Sequence, residues 1–336
     1  GARGWFRGEG KAYVEINGDG LRDREHAIAK SPNTLRIAVL GDSFAEALQV
    51  PLEESFWAVM ERRVDSCLAS CGVRAEVLNF GVSGYGTTQE FLTLRDRVWK
   101  YDPDVVLLAF LTANDVQDNS KRLQPPDYRP YFIARADRLE LDTSFRDDPA
   151  YRRKSGGLWP ARLALMRYSR TFQLLVRVLK RPSAPQRPQS GIPGDEPGLE
   201  IAVYSEPSTD EWREAWTITE GVLRLMRDEA AGRGARLVVA TLSNGIQVHP
   251  DPEARRRFMK HYGLAELFYP DERIARFCEA EGIEIVTLAP SLRRYAEARG
   301  IFLHGFEGHP PGTGHWNAEG HRAAGAFLAD YLCRFE

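Results

Sequence analysis

The chain has 336 residues, and 43% hydrophobic with 27% charged residues is the composition of an ordinary globular protein that can bury a core. Its 45 Lys and Arg are balanced by 47 Asp and Glu, so the formal net charge of −2 gives no reason to expect a nucleic-acid partner. No run of about 18 apolar residues occurs, which excludes a predicted membrane span.

The chain opens at "GARGWFRGEG" without an initiator Met, as a mature form does after an upstream signal or anchor is removed. Residues 1–34 are rich in aromatic residues and Gly, and we expect an arm that lies on the domain formed by 35–336. An extracytoplasmic location fits this start, but the sequence leaves the compartment and the oligomeric state open. Cys67 and Cys71 are one helical turn apart, which fits either two core thiols or a local disulfide.

From residue 35 onward, short β-rich runs alternate with helical stretches. The predicted strands are the segments 35–40, 75–81, 104–111, 235–242 and 283–290. Helical patterns separate them, and the last one extends to the C-terminus. Such alternation predicts a three-layer α/β/α sandwich with a central parallel sheet of about five strands. Active groups in these sheets lie on loops beyond the carboxyl ends of the strands.

An insertion over 116–208 interrupts the alternation. Residues 129–145 predict a β-hairpin, residues 158–180 predict a basic helix with an apolar face, and a Pro/Gly/Ser-rich stretch follows. The inserted helix has three open interpretations: it packs on its own domain, it caps the active site, or it lies on a membrane surface.

Four polar or glycine-rich positions follow predicted strands or precede the last helix. Ser43 lies in the turn "GDS" after the first strand, the loop "NFGVSGYG" follows the second, and Asn114 follows the third. His315 precedes the final helix. Taken alone each is ordinary, since Ser is a common helix cap and Gly-rich loops occur everywhere. Together they place a nucleophile, amide donors and a base at one rim.

The four segments resemble the sequence blocks of the SGNH hydrolases, the GDSL lipase/esterase superfamily. "GDS" at 41–43, "NFGVSG" at 79–84, "AND" at 113–115 and "HWNAEGH" at 315–321 occur in the family's order. The resemblance implies a flavodoxin-like fold with Ser43 as nucleophile and His315 as general base. It also implies an oxyanion hole formed by the Ser43 N–H, the Gly84 N–H (Gly81 being the alternative) and the Asn114 side chain.

The blocks depart from the family pattern at two positions. Ala113 replaces a usual Gly, which leaves Asn114 in place. More important, Gly312 stands where the family has an Asp three residues before the histidine. Three interpretations remain open: a Ser–His dyad oriented by a backbone carbonyl, an acid from elsewhere with Glu307 the nearest upstream candidate, or an impaired site. Asp42 and Asp115 adjoin catalytic positions and are interpreted as scaffold hydrogen-bonders.

His321 lies one turn into the last helix and is interpreted as structural. The spacing of the nearby histidines matches no zinc pattern, so neither a metal nor a cofactor is predicted. We expect a serine esterase that acts on a short acyl ester, such as an acetyl ester of a carbohydrate or another small polar alcohol. The alternatives are an O-acyltransferase that uses the same residues, and a catalytically silent binding or scaffold domain.

Overall fold

The protein is described here by a computed structural model. It describes residues 2–124, 127–135, 138–159, 161, 165, 192–196 and 199–334. The basic helix predicted over 158–180 lies, apart from four of its residues, outside the described part of the chain, and so does the Pro-rich stretch after it except for residues 192–196. The cap and membrane-contact interpretations therefore stay predictions, and so do the domain boundaries.

The central sheet has five parallel strands. They are β3 (Thr34–Gly41), β4 (Arg74–Asn79), β5 (Val105–Leu111), β8 (Arg236–Leu242) and β9 (Glu284–Thr287). Their spatial order is β4-β3-β5-β8-β9. Counted along the chain this is the order 2-1-3-4-5, which defines a flavodoxin-like doubly wound sheet. The predicted α/β architecture is therefore confirmed.

Helices cover both faces of this sheet. Those of the described residues are α1 (Ser43–Glu46), α2 (Phe56–Leu68), α3 (Thr87–Thr93), α4 (Asp115–Asp118), α5 (Pro149–Ser155), α6 (Asp210–Gly232), α7 (Pro252–Tyr262), α8 (Tyr269–Ala280), α9 (Ala289–Arg299) and α10 (Ala318–Leu332). Polar N-caps begin several of them, because an Asn or Thr oxygen accepts an otherwise unpaired N–H of the first turn. Asn317 accepts from Glu319 N and Gly320 N at 3.0 Å at the start of α10. None of the described helices has the length and apolar character needed to cross a membrane.

Alternate side chains of each strand enter two separate cores. Ile37 and Val39 face the cluster that includes residues of α2, α9 and α10, whereas Ala38 and Leu40 face the cluster with residues of α3, α6 and α8. All four strand side chains are at most 1% exposed. A strand buried on both faces reads as a continuous apolar run, which is why β3 and β5 are recognisable in the sequence.

Two hairpins extend this framework. The first, β1 (Arg3–Phe6) with β2 (Ala12–Glu15), forms the N-terminal arm, and the second, β6 (Tyr131–Arg135) with β7 (Arg138–Asp142), confirms the hairpin predicted in the insertion. The segment after β2 ties the arm to the sheet. Asp23 Oδ2 accepts the Asn79 N–H at 2.7 Å, and the Arg22 guanidinium donates to Glu46 O at 3.0 Å. The N-terminal arm is therefore attached beside the carboxyl end of β4 and the end of α1.

One disulfide joins the end of α2 to the end of the chain. It pairs Cys67 with Cys333, 266 residues apart in sequence, while Cys71 is a free exposed thiol. The expectation of two core thiols, or of a local disulfide between Cys67 and Cys71, is therefore wrong. The reason is the packing of α10 along α2, which brings together two helix ends that the sequence separates.

A cross-link across so long a loop restricts the unfolded chain strongly. We expect Cys67→Ser/Cys333→Ser to lower the free energy of unfolding by about 2–4 kcal/mol, measured by urea denaturation under non-reducing conditions. Cys71→Ser is the matched control and should leave stability within about 0.5 kcal/mol of the parent protein. Equal stability of the double variant and the parent protein would contradict this pairing.

Candidate active site

Ser43 lies directly beyond the carboxyl end of β3. The turn is held by Asp42, whose Oδ1 accepts the Phe44 N–H at 2.8 Å. Gly81 in the next loop packs against this turn so closely that a Cβ there would lie 2.5 Å from Ala45 Cβ. Because α1 and the "NFG" loop meet at this distance, a side chain at position 81 would displace the nucleophile turn.

His315 lies beside Ser43 because its loop is hydrogen-bonded to a buried side chain. The His304 side chain bonds Gly314 O at 2.7 Å through Nδ1 and Ser243 Oγ at 3.1 Å through Nε2. Burial lowers the pKa of His304 to about 4, so this ring is neutral at pH 7. Its two hydrogen bonds hold the loop in place. The His315 Nε2 lies 2.8 Å from Ser43 Oγ, a distance at which a histidine can accept the proton of a serine hydroxyl.

The group that meets the other side of the imidazole is Glu9. Its carboxylate contacts His315 Nδ1, and the same oxygen accepts the His315 backbone N–H at 3.1 Å. This contact agrees with the interpretation that an acid from elsewhere in the chain meets the histidine, but the acid is Glu9 and not Glu307, and His315 Nδ1 meets this carboxylate where a backbone carbonyl was the other expectation. Glu307 is an exposed loop residue. The orienting acid comes from the turn of the N-terminal hairpin, more than 300 residues before the histidine.

Three glycines make room for this acid and its loop. A Cβ on Gly314 would lie 2.6 Å from Glu9 Oε1, and one on Gly10 would lie 2.2 Å from Gln49 O. Gly312, where the family has Asp, has a φ of +79°, and a Cβ there would lie 3.0 Å from the Phe302 ring. An Asp at position 312 would therefore be strained in this loop conformation.

The electrostatics of Glu9 suit a group that orients a histidine. Burial raises its pKa, but the hydrogen bond and positive charge of His315 lower it by more, so the pKa lies below the usual glutamate value. Glu9 is therefore ionised at neutral pH. A carboxylate at Nδ1 fixes the tautomer that leaves Nε2 free to accept the Ser43 proton, and it stabilises the imidazolium that forms.

Asn114 and Gly84, the other predicted donors, are placed differently. Asn114 follows β5 and lines the pocket beside Ser43, where its side chain acts to lower the pKa of Asp42 against the larger effect of burial. Gly84 lies in an exposed turn with a φ of +79°, and its carbonyl accepts from Arg129 Nη1 at 2.8 Å. Gly84 is not among the described residues that line the pocket, so its oxyanion role stays a prediction.

The pocket above Ser43 has a volume of about 170 Å³. Its lining residues are Glu9, Ser43, Phe44, Leu111, Ala113, Asn114, Glu196, Leu199, Asn244, Gly314 and His315. The four apolar members can enclose a small acyl group, and the remaining polar members include two that were not predicted, Glu196 and Asn244. Glu9 was also missed. Its signal was the "GEG" tripeptide, an acid between two glycines in an arm expected to lie on the domain.

Four carboxyl groups come together behind the nucleophile. Burial raises the pKa of Asp42 and Asp118 to about 6, and burial with mutual repulsion raises those of Glu90 and Asp115 well above their usual values. Asp115 Oδ2 accepts the Leu111 N–H at 2.7 Å, which agrees with its scaffold interpretation. Neither Glu90 oxygen has a hydrogen-bond partner among the described residues. Glu90 is therefore a buried neutral acid at moderately acidic pH.

His321 lies away from the catalytic pair. Its Nδ1 accepts the Phe56 N–H at 3.2 Å, and the ring stacks on Phe56 with centroids 6.2 Å apart. Burial lowers the pKa of His321 to about 3, so it is neutral. Within the described part of the chain, no group of three or more His, Cys, Asp or Glu is arranged to hold a metal ion.

No family model and no curated protein matches this chain. An acetyl xylan esterase structure aligns with 89% of this chain and 98% of its own, at a TM-score of 0.41 and 12% identity. A catalytic mutant of an acetylxylan esterase from Geobacillus stearothermophilus aligns with 89% of this chain and 92% of its own, at a TM-score of 0.41 and 13% identity. A protein of the G-D-S-L family from Desulfitobacterium hafniense aligns with 90% of this chain and 99% of its own, at a TM-score of 0.38 and 12% identity. These are likenesses of fold.

The strand order and the four sequence blocks agree on one class of fold. β3 ends at "GDS", β4 ends at "NFG", β5 ends at "AND", and the loop before α10 carries "HWN". All four lie at the carboxyl side of a 2-1-3-4-5 parallel sheet. The predicted three-layer α/β/α fold is therefore confirmed, and the four blocks lie where the resemblance to the SGNH hydrolases implies.

Replacing the acid tests its role directly. Glu9→Gln keeps the shape of the side chain but removes the charge, so we expect kcat to fall by about 10²–10⁴ with little change in KM. Glu307→Gln is the matched control and should retain parental turnover. Near-parental kcat for Glu9→Gln, or a comparable loss for Glu307→Gln, would contradict the assignment of Glu9.

The buried acid behind the nucleophile predicts a pH-dependent stability. The pKa of Glu90 is higher in the folded protein than in the unfolded chain. Its contribution to the free energy of unfolding is therefore complete below about pH 4.5 and is lost as pH rises through the folded pKa. Glu90→Gln removes this titration. Urea unfolding should therefore show that, between pH 5 and pH 8, the free energy of unfolding of the variant rises relative to that of the parent protein by about 1 kcal/mol or more. A difference between the two proteins that stays constant with pH would contradict the prediction.

Proposed function

We propose that this protein is a serine esterase that hydrolyses a short acyl ester with a Ser43–His315–Glu9 triad. The observation that carries the proposal is the continuous contact from Ser43 Oγ through the His315 ring to the Glu9 carboxylate. A silent binding domain would have no need for a partly buried acid that a distant segment places on the second ring nitrogen of a histidine. The continuous contact from Ser43 through His315 to Glu9 therefore favours an enzyme over a scaffold domain.

The reaction follows from the positions of these groups. Ser43 Oγ attacks the ester carbonyl carbon while His315 Nε2 takes the hydroxyl proton, and the carbonyl oxygen becomes an oxyanion. The Ser43 N–H and the Asn114 amide are the proposed donors to that oxyanion, with Gly84 carried over from the family resemblance. The C–O bond to the alcohol then breaks, and the leaving oxygen takes the proton from His315.

A water molecule completes the cycle by the same steps. His315 accepts a proton from the water as its oxygen attacks the acyl-enzyme carbonyl, and the Ser43–acyl bond breaks as the serine regains its proton. The products are the free acid and the restored serine. Glu9 remains a carboxylate throughout, since its role is to hold and stabilise the histidine.

The size and lining of the pocket favour a short acyl chain. Phe44, Leu111, Ala113 and Leu199 contribute its apolar walls, and its volume of about 170 Å³ lies below the range of roughly 300–1,000 Å³ typical of drug-sized ligand sites. An acetyl or similar group fits beside Ser43 in such a space, whereas a long acyl chain does not.

p-Nitrophenyl esters of increasing chain length test both parts of the proposal. We expect kcat/KM to fall at least about tenfold from the acetyl to the octanoyl ester, because the longer chain cannot be enclosed. Ser43→Ala and His315→Ala should each lose at least about 10³ in kcat on the acetyl ester. Parental rates in both variants would reject the serine mechanism, and a preference for the octanoyl ester would reject the short-chain assignment.

A further inference from the structure

The loop after β4 is hydrogen-bonded to the turn that carries Ser43. The Val82 N–H donates to Gly41 O, two residues before Ser43, at 3.0 Å. The Ser83 N–H donates to the Glu46 carboxylate at 2.8 Å, and the Ser83 hydroxyl contacts the same oxygen. Glu46 is the last residue of α1, the helix that begins at Ser43. The position of this loop relative to the nucleophile is therefore fixed as far as residue 83.

The next N–H of the loop belongs to Gly84 and has no hydrogen-bond partner among the described residues. This is the donor that the family resemblance assigns to the oxyanion hole. The φ of Gly84 is +79°, a conformation that glycine adopts without steric cost. Oxyanion donors are effective because their direction is set before the reaction. A glycine with this conformational freedom therefore needs contacts that hold its peptide groups in one orientation.

Arg129, a residue of the insertion, supplies such a contact on the far side of this donor. Its Nη1 donates to Gly84 O at 2.8 Å. The Gly84 N–H belongs to the peptide group between Ser83 and Gly84. The preceding peptide group is held by Glu46 through the Ser83 N–H, and the following one is held by Arg129 through the Gly84 carbonyl. The unpaired N–H therefore lies between two peptide groups that are each held by a side chain.

The Arg129 guanidinium is itself held by several groups. Its Nε donates to the Tyr131 hydroxyl at 2.9 Å and lies 2.5 Å from Asp127 Oδ2. Its Nη2 lies 3.8 Å from Asp118 Oδ1, in the last residue of α4, and the N-cap of that helix is Asn114. The Arg129 side chain is only 18% exposed. A planar guanidinium with several fixed donors can bind these groups at the same time, whereas a lysine ammonium is a single point charge on a flexible stem.

We propose that Arg129 is a positioning residue of the oxyanion hole. By holding the Gly84 carbonyl, it fixes the peptide group that carries the Gly84 N–H relative to Ser43 and to the helix that begins at Asn114. Arg129 touches neither the substrate nor the reacting atoms, so its effect on the reaction passes through Gly84. The inference rests on the proposed esterase function, with Gly84 as the third oxyanion donor. It adds that the insertion contributes to stabilisation of the transition state.

Removing the guanidinium should lower kcat with little effect on KM. We expect Arg129→Met to reduce kcat on p-nitrophenyl acetate by about 10- to 100-fold, with KM within about threefold of the parent value, because the Gly84 N–H is misplaced but not deleted. Arg129→Lys should lose about three- to tenfold in kcat, since one ammonium cannot make all of these contacts. Arg122→Met is the matched control, an insertion arginine paired with Glu211 and Glu214 of α6, and should keep the parental kcat and KM.

Methylboronic acid separates positioning of the oxyanion hole from a general structural role. Ser43 Oγ forms a bond to boron while its proton passes to His315, and the resulting tetrahedral anion places an oxygen where the oxyanion forms. Acetate, the planar product, makes no such demand on the donors. We expect Arg129→Met to raise the Ki of methylboronic acid by about the factor by which kcat/KM falls, and to leave the Ki of acetate unchanged. Asn114→Ala, which removes another proposed donor, should show the same pattern.

The outcomes separate this inference from the proposed function. Parental kcat and a parental Ki for methylboronic acid in Arg129→Met would overturn the inference while the esterase function stands. An equal loss of affinity for methylboronic acid and acetate would also overturn it, because the whole site would then be distorted. If circular dichroism shows that Arg129→Met does not fold, the same criteria apply to Arg129→Lys. If the parent protein does not hydrolyse p-nitrophenyl acetate in a Ser43-dependent manner, the esterase function is overturned, and the inference with it.

Discussion

The contact between Glu9 and His315 is the interaction on which the site depends. Without it the imidazole would be held by its neighbours in the loop but would have no partner for its Nδ1 proton. A histidine in that state can turn to the wrong tautomer, which is how loss of a triad acid reduces turnover. Because the acid lies in the N-terminal hairpin, the geometry of the catalytic pair depends on how residues 2–23 are attached to the domain.

That attachment is built from close contacts that only particular residues permit. Gly10 approaches the backbone of Gln49, and Gly314 approaches the Glu9 carboxylate, each within a distance that excludes a Cβ. The Arg22 and Asp23 side chains then tie the following segment to Val50 and Asn79. At Gly314 the histidine loop therefore leaves room for the carboxylate of the arm.

The fold and the catalytic pair could be predicted from sequence because their signals are local. Each central strand is a short apolar run, "GDS" lies at the end of β3, and "HWN" directly precedes α10. Glu9 and the Cys67–Cys333 disulfide could not be predicted, because both depend on which distant segments meet. Nothing in "GEG" or in two isolated cysteines states a partner more than 250 residues away. Tertiary packing decides it, here through α10 against α2 and through the arm against the rim.

The docking of the arm depends on its buried residues and not on its exposed face. Trp5 and Tyr13 pair across the hairpin with 57% and 45% exposure, so their burial contributes little to docking of the arm. Ala12, at 1% exposure, and the segment 17–23 carry that contribution instead. Since Glu9 lies at the turn between these strands, the free energy that docks the arm is also the free energy that keeps the acid on His315. The contact between Glu9 and His315 therefore depends on the docking of the arm.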